Sequence, residues 1–263
     1  MIIDLLRRLF KKKQPLEFSC GAFKDVEDDR DYIKEIEQGI DPKSINLLDG
    51  VNFKATWQSS TNACTGHAMS ALLTILYAKL NKTDPLLFNY YYIYYWSRML
   101  AFGSIKEDKG SYLRQTMMAV QKYGALIQEM CTLRSVYSQP KQEEIASANL
   151  LKIKSYFRLP TNKIYDAVLY TLIREKLPIL AAMYVRNKEW NIAGKTGILK
   201  PYGSEDRSGG HAICLYGYDQ SDDTILATNS WGELWGNKGF FKISRASLER
   251  DIMDAWTVGY NYY

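Results

Sequence analysis

Residues 58–73 read Gln-Ser-Ser-Thr-Asn-Ala-Cys-Thr-Gly-His-Ala-Met-Ser-Ala-Leu-Leu, a loop of small polar residues running directly into an apolar segment, with Cys64 at the junction. From Cys64 to Leu80 there is no proline, and apolar residues recur on most helical faces (Ala68, Met69, Ala71, Leu72, Leu73, Ile75, Leu76, Ala78). A helix without a polar face must be covered all round, so this one is predicted to be central and buried. A cysteine in its first turn meets backbone N–H groups that have no partner within the helix, at the positive end of the helix dipole. Both favour thiolate over thiol, and the same N–H groups can hold an oxyanion. Gln58, six residues upstream, offers a side-chain amide as a second donor. The competing reading is that Cys64 is one more small buried hydrophobe.

Composition narrows the field. The 263 residues are enough for one domain or two closely packed lobes. Five positive charges in residues 1–13 against Asp4 give +4, which leaves +1 of the total +5 for the rest of the chain and argues against nucleic acid as a partner. The opening Met-Ile-Ile-Asp-Leu-Leu-Arg-Arg-Leu-Phe-Lys-Lys-Lys is short and amphipathic without the order of a signal peptide. It reads as a surface helix or frayed end, with weak contact to an anionic membrane surface as the alternative. No apolar run is long enough for a transmembrane segment. Cys20, Cys64, Cys131 and Cys214 have no regular spacing, and with only two histidines neither a metal site nor a cofactor is expected. Free thiols in a reducing, cytoplasmic setting follow, with export by another route left open.

Along the chain, residues 1–39 read as a basic and polar arm with one short helix around Tyr32–Glu37. Val51 to Trp57 reads as extended. A Tyr-rich segment, Leu86 to Ala101, has the pattern of a half-buried helix, and Tyr112 to Tyr123 has helical spacing ended by Gly124. Composition changes near residue 150. Leu151–Leu159 alternates like a strand, Asn162–Glu175 reads as one amphipathic helix and Pro178–Val185 as a buried strand, while 194–205 reads as a loop. His211–Tyr218, Thr224–Asn229 and Gly239–Ser244 are strand-like. The fold class expected is α+β, with a helical lobe at about 49–150 and a β lobe at about 151–263, joined without a flexible linker.

A thiolate nucleophile needs a base, usually an imidazole held by an orienting group. His67 lies three residues after Cys64 on the same helix, which leaves little room for a substrate between them, and it is expected to pack inside the helical lobe. His211 opens a strand after Ser208-Gly209-Gly210, where a substrate backbone can approach closely. A hairpin symmetric about residue 220 would set Asn229 opposite His211 on one face, its side-chain carbonyl accepting the ring N–H. Trp231, two residues on, could shield that hydrogen bond from water.

Gln58-x5-Cys64 before a buried helix, Gly-His211-Ala before an apolar strand, and Asn229-Ser-Trp231-Gly-x2-Trp235-Gly, in that order, resemble the papain-like cysteine peptidases from about residue 40 onward, specifically a disulfide-free, prokaryotic-type member. The resemblance implies a two-lobed fold with a β-barrel-like second lobe and a peptide or protein substrate in the cleft between. It implies Cys64 as nucleophile, His211 as base, Asn229 as its orienter, and Gln58 with the Cys64 N–H as oxyanion hole. Gly110, Ser111 and Gly210 would meet substrate backbone, and Trp231 would line the cleft beyond the cleaved bond. The chain departs from the family in three places. Thr61 stands where a disulfide cysteine is common, Thr65 replaces an aromatic after the nucleophile, and only about 40 residues precede the expected start of the peptidase domain. The first and third point to a protein made without the usual inhibitory propeptide. The rival readings are a catalytically silent peptide-binding relative and an amidase or transpeptidase; side-chain specificity and oligomeric state stay open.

Overall fold

The computed structural model describes residues 19–259 apart from 38, 82, 83, 149 and 150; the expectation for residues 1–13 lies outside them. Cys64–Asn81 forms helix α1, and every residue from Cys64 to Leu76 is buried. Two further helices cover it. Helix α2 (Tyr90–Phe102) starts where the Asn89 side chain accepts the Tyr92 N–H at 2.8 Å and stops at Gly103, whose φ of 67° a glycine adopts without strain. Helix α3 (Leu113–Tyr123) ends at Gly124, as its sequence indicates. Helices α1 and α2 are in intimate contact at Gly66, where a Cβ would strike the Tyr90 carbonyl and lie 2.8 Å from the Tyr94 Cβ.

The second half supplies most of the sheet. The strands are β1 (Ala22–Phe23), β2 (Ile45–Asn46), β3 (Ser111–Tyr112), β4 (Tyr156–Arg158), β5 (Ile179–Val185), β6 (Ile198–Leu199), β7 (Gly209–Asp219), β8 (Thr224–Thr228), β9 (Phe240–Ser244) and β10 (Ile252–Val258). Their order is β4-β10-β5-β7-β8-β9-β6, with β2 also on β7; β1 and β3 form a separate parallel pair. Among the described residues no pairing joins β4 to β6, so the lobe is barrel-like without being a closed barrel. Strands β5 and β7 read as continuous apolar runs because both faces are covered, and α1 packs against β7.

Several local expectations are corrected. Tyr32–Glu37 is extended rather than helical: Lys34 N–H donates to the Arg158 carbonyl at 2.8 Å and Arg158 N–H to Tyr32 at 2.9 Å. Charge decides this, since Asp31 takes the Arg114 Nε and Nη2 at 2.7 and 2.5 Å and Lys34 pairs with Glu175 at 2.8 Å, all largely buried. Val51–Trp57 forms no strand beyond a single bridge at Trp57. The segment from Thr161 is a 3-10 turn, helix α5 (Ile164–Leu169, after α4 at Gln142–Ala148) and a π turn at Tyr170–Arg174, rather than one regular helix. The expected 194–205 loop begins inside a helix, α6 (Asn187–Thr196), and includes β6. Gly194, the residue that reads as a break, is required there because a Cβ would lie 2.6 Å from the Trp235 indole nitrogen. Helix α7 (Arg245–Asp251) and β10 complete the chain's described end.

Filling the α1–α2 contact tests this packing. Gly66→Ala should cost about 1–3 kcal/mol through forced separation of the helices, a fall of about 2–10 °C in the thermal unfolding midpoint for a chain of this size; an unchanged midpoint would contradict the close contact.

Candidate active site

Cys64 is the first residue of α1 and is fully buried. Backbone N–H groups of Ala212 on β7, Gly21, Thr65 and Cys64 itself act on its sulfur in favour of the thiolate, against the larger effect of burial. The last two are the helix's unpartnered N-terminal donors. The loop before them is tied down by Asp108, which accepts the Asn62 N–H at 2.8 Å, and by Tyr94, whose hydroxyl donates to Asp108 at 2.5 Å and accepts the Gly110 N–H at 2.9 Å. Neither Asp108 nor Tyr94 is marked by the sequence, which presents one as a loop residue and the other as helix packing.

His211 stands on β7 next to Ala212, and its Nε2 lies 2.7 Å from Asn229 Oδ1. That oxygen also accepts the Ser230 N–H at 2.7 Å, so it is the amide carbonyl that faces the ring. His211 Nε2 must therefore carry the proton and donate, leaving Nδ1 as the basic nitrogen with its lone pair free; no hydrogen-bond partner meets it among the described residues. The pairing route differs from the one expected. The hairpin turns later than expected, with Asp219 opposite Thr224, and a bulge between Leu215 and Gly217 takes back one residue, to Cys214 opposite Thr228. Extended by one pair, that sets Asn229 opposite Ile213 instead of His211. Residues 211 and 213 share a face, so the two side chains still meet on a diagonal. Trp231 stacks on the His211 ring with centroids 4.3 Å apart, and Trp190 of α6 meets the same ring edge-on at 5.7 Å. Trp190 is not marked by the sequence.

Gln58 is fully buried and oriented on three sides. Its Nε2 donates to Thr61 at 2.6 Å, the Thr61 hydroxyl donates back to the Gln58 carbonyl at 2.6 Å, and its Oε1 accepts the Ser230 hydroxyl at 2.6 Å. Thr61 thus holds Gln58 by hydrogen bonds. The second Nε2 hydrogen reaches the Ser19 carbonyl at 3.3 Å.

That contact belongs to a larger one. Residues 19–23 lie across the site. Ser111 N–H donates to the Gly21 carbonyl at 2.8 Å and β1 pairs with β3. A Cβ on Gly110 would strike the Gly21 carbonyl, one on Gly210 the Ala22 carbonyl, and one on Gly209 would come within 2.8 Å of the Cys20 Cβ. So Gly110, Ser111 and Gly210, expected to meet a substrate backbone, meet the chain's own. Burial works against the expected thiolate: it pushes the Cys64 thiol up to about 11 although nearby N–H groups favour the charged form, and Cys20 up to about 12, Cys64 adding to the latter. Burial likewise lowers His211 to about 4, against the pull of its Asn229 hydrogen bond. His67 packs inside the helical layer, stacked on Tyr90 at 3.7 Å, and is lowered by burial to about 3. The four cysteines are free, and no His, Cys, Asp or Glu cluster suited to a metal occurs among the described residues. No described helix is long and apolar enough to cross a membrane.

Residues 102–258 match the family model of papain family cysteine proteases. An uncharacterized peptidase C1-like protein of Acanthamoeba polyphaga mimivirus is 28% identical over 195 residues, 71% of this chain and 62% of its own length, so the chain spans less than two thirds of that relative. Cathepsin B-like protease 1 of Arabidopsis thaliana is 38% identical over 68 residues, 25% of this chain and 18% of its own. Among solved structures, xylellain, a cysteine protease from Xylella fastidiosa, superposes with a TM-score of 0.80 at 20% identity over 94% of this chain and 97% of its own. The bromelain protease of Ananas comosus gives 0.67 at 18% identity over 84% and 100%. The family match begins after Gln58 and Cys64, and the fold likeness extends over nearly the whole chain. On its sequence match and its fold together, this chain belongs to the papain family of cysteine proteases.

Proposed function

We propose that the protein is a cysteine peptidase in which Cys64, His211, Asn229 and Gln58 carry the reaction. The observation that carries this reading is the hydrogen bonding at His211: its Nε2 meets Asn229 Oδ1, which also accepts the Ser230 N–H, so Nε2–H donates there and Nδ1 is the nitrogen left to exchange a proton. Cys64 passes its proton to Nδ1, and the thiolate attacks the peptide carbonyl. The oxyanion that forms takes the Gln58 Nε2–H now held by Ser19, together with the Cys64 backbone N–H. His211 returns the proton to the leaving amine, and water then releases the acyl group with His211 as base. Trp231 covers the imidazole and keeps water from its hydrogen bond to Asn229. Cys64→Ala should leave no peptide hydrolysis above background, with the fold intact by circular dichroism; activity retained in that variant would refute the assignment. Products formed with an added amine would separate hydrolysis from transfer.

The strap is a resting arrangement on this reading. Cys64 faces the Gly21 N–H, a group its sulfur cannot attack, and Ser19 fills the place of the substrate carbonyl at Gln58. Catalysis therefore requires residues 19–23 to leave. Gly21 has no space for a side chain, since its Cβ would strike the Asn62 carbonyl. Gly21→Ala should introduce a clash of about 1–3 kcal/mol and raise the open population, and with it Cys64 alkylation by iodoacetamide at pH 7, by about 5- to 150-fold. In the unaltered chain, alkylation should climb about tenfold per pH unit toward pH 11, because a raised thiol pKa leaves only that fraction as thiolate. In Gly21→Ala the climb should level off at lower pH. Identical pH profiles would show that the strap does not control the sulfur.

A further inference from the structure

The reaction above leaves a buried imidazole unused. His67, one turn into α1, is 1% exposed and held flat against Tyr90. Its Nδ1 lies 2.7 Å from Thr56 Oγ1, and its Nε2 has no hydrogen-bond partner among the described residues. A second unpartnered group is close by: Nδ2 of Asn229, a residue only 2% exposed whose Oδ1 is already shared between His211 and Ser230. Both residues line one small cavity, with Thr56, Ala212 and Thr228 among its walls, that is too tight to admit a water molecule.

The chemistry of the two atoms is complementary. Asn229 Nδ2 can only donate. His67 Nε2 accepts when the ring is neutral and its proton sits on Nδ1, where Thr56 Oγ1 is in place to accept it. A buried donor and a buried acceptor are costly to leave unpaired, and among the described residues lining the cavity no other buried side-chain polar atom lacks a partner. We propose that His67 is a positioning residue: its Nε2 accepts from Asn229 Nδ2 and thereby keeps the amide carbonyl turned toward His211. With the amide reversed, Nδ2 would confront the His211 Nε2–H, donor against donor, and the imidazole would lose the tautomer that leaves Nδ1 basic. The histidine three residues after the nucleophile thus supports the base from behind without touching substrate. Its kinetic consequence rests on the peptidase reading; the contact itself does not.

A double-mutant cycle tests the consequence. His67→Phe keeps a flat ring but no acceptor, and His67→Gln restores an acceptor; each is made in the full chain and in Asn229→Ala. His67→Phe should lower kcat/KM for a peptide substrate by about tenfold at unchanged KM, and His67→Gln should recover most of it. In Asn229→Ala the His67 substitutions should change kcat/KM by less than about twofold. Equal losses in both backgrounds, or no loss in either, would overturn the proposal. Nitrogen-15 NMR of the imidazoles in the full chain gives a readout free of turnover. His67 should carry its proton on Nδ1 with Nε2 accepting, and Asn229→Ala should shift the Nε2 resonance. A proton on Nε2 overturns the proposal even if the chain cleaves no peptide, whereas a wild-type chain no more active than Cys64→Ala would instead remove the peptidase reading.

Discussion

Because α1 has no polar face from Cys64 to Leu76, it is stable only with protein on every side, and α2 and the sheet supply those sides. A helix so enclosed can present only its end to a cleft. That end carries the unpartnered N–H groups and the cysteine, and α1 packs against β7, the strand that brings His211 and Ala212. The placement of Cys64 is thus a by-product of apolar burial: the same packing that hides Leu72 and Ile75 sets the sulfur beside the strand bearing His211.

Hydrogen bonds then join the two sides of the site. Ser230 donates its hydroxyl to Gln58 and its N–H to Asn229, while the Gln58 N–H donates to the Ser230 carbonyl at 2.8 Å. One residue therefore aligns the Gln58 amide and the Asn229 side chain together. Thr61 completes the clasp on Gln58 from the other side. With both Nε2 and Oε1 engaged, the buried Gln58 amide has a single orientation, which is what preorganised electrostatics require.

Two opposing effects act on Cys64. The helix terminus favours the thiolate, whereas burial beneath residues 19–23 favours the thiol, and with the strap in place burial prevails. The arm that carries the strap is pinned by a buried charge cluster, in which Asp31 meets Arg114 and Arg158, and Asp254 meets Arg158. Removing one partner from such a cluster is far more costly than the pair is stabilising, so the arm is held by the penalty for leaving it.

The central helix, the end of α3 at Gly124, strands β5, β7, β8 and β9, and the order Gln58, Cys64, His211 and Asn229 are readable from the sequence because apolar periodicity and local capping chemistry determine them. Long-range contacts decided the rest. Charge pairing 80 and more residues away ties Asp31 to Arg114, a late hairpin turn with a bulge at Tyr216 set the β7–β8 register, and the demand of Trp235 for space explains a glycine inside α6. Tyr94, Asp108, Trp190 and Ser230 carry no local mark of their roles, since each acts through a partner distant in sequence. By itself the sequence determined which residue types this protein has for chemistry and on which elements they ride. Only the tertiary structure decided that a strap from its own N-terminal arm covers them, because occupancy of a cleft depends on backbone pairing between β1 and β3, which no side-chain pattern encodes.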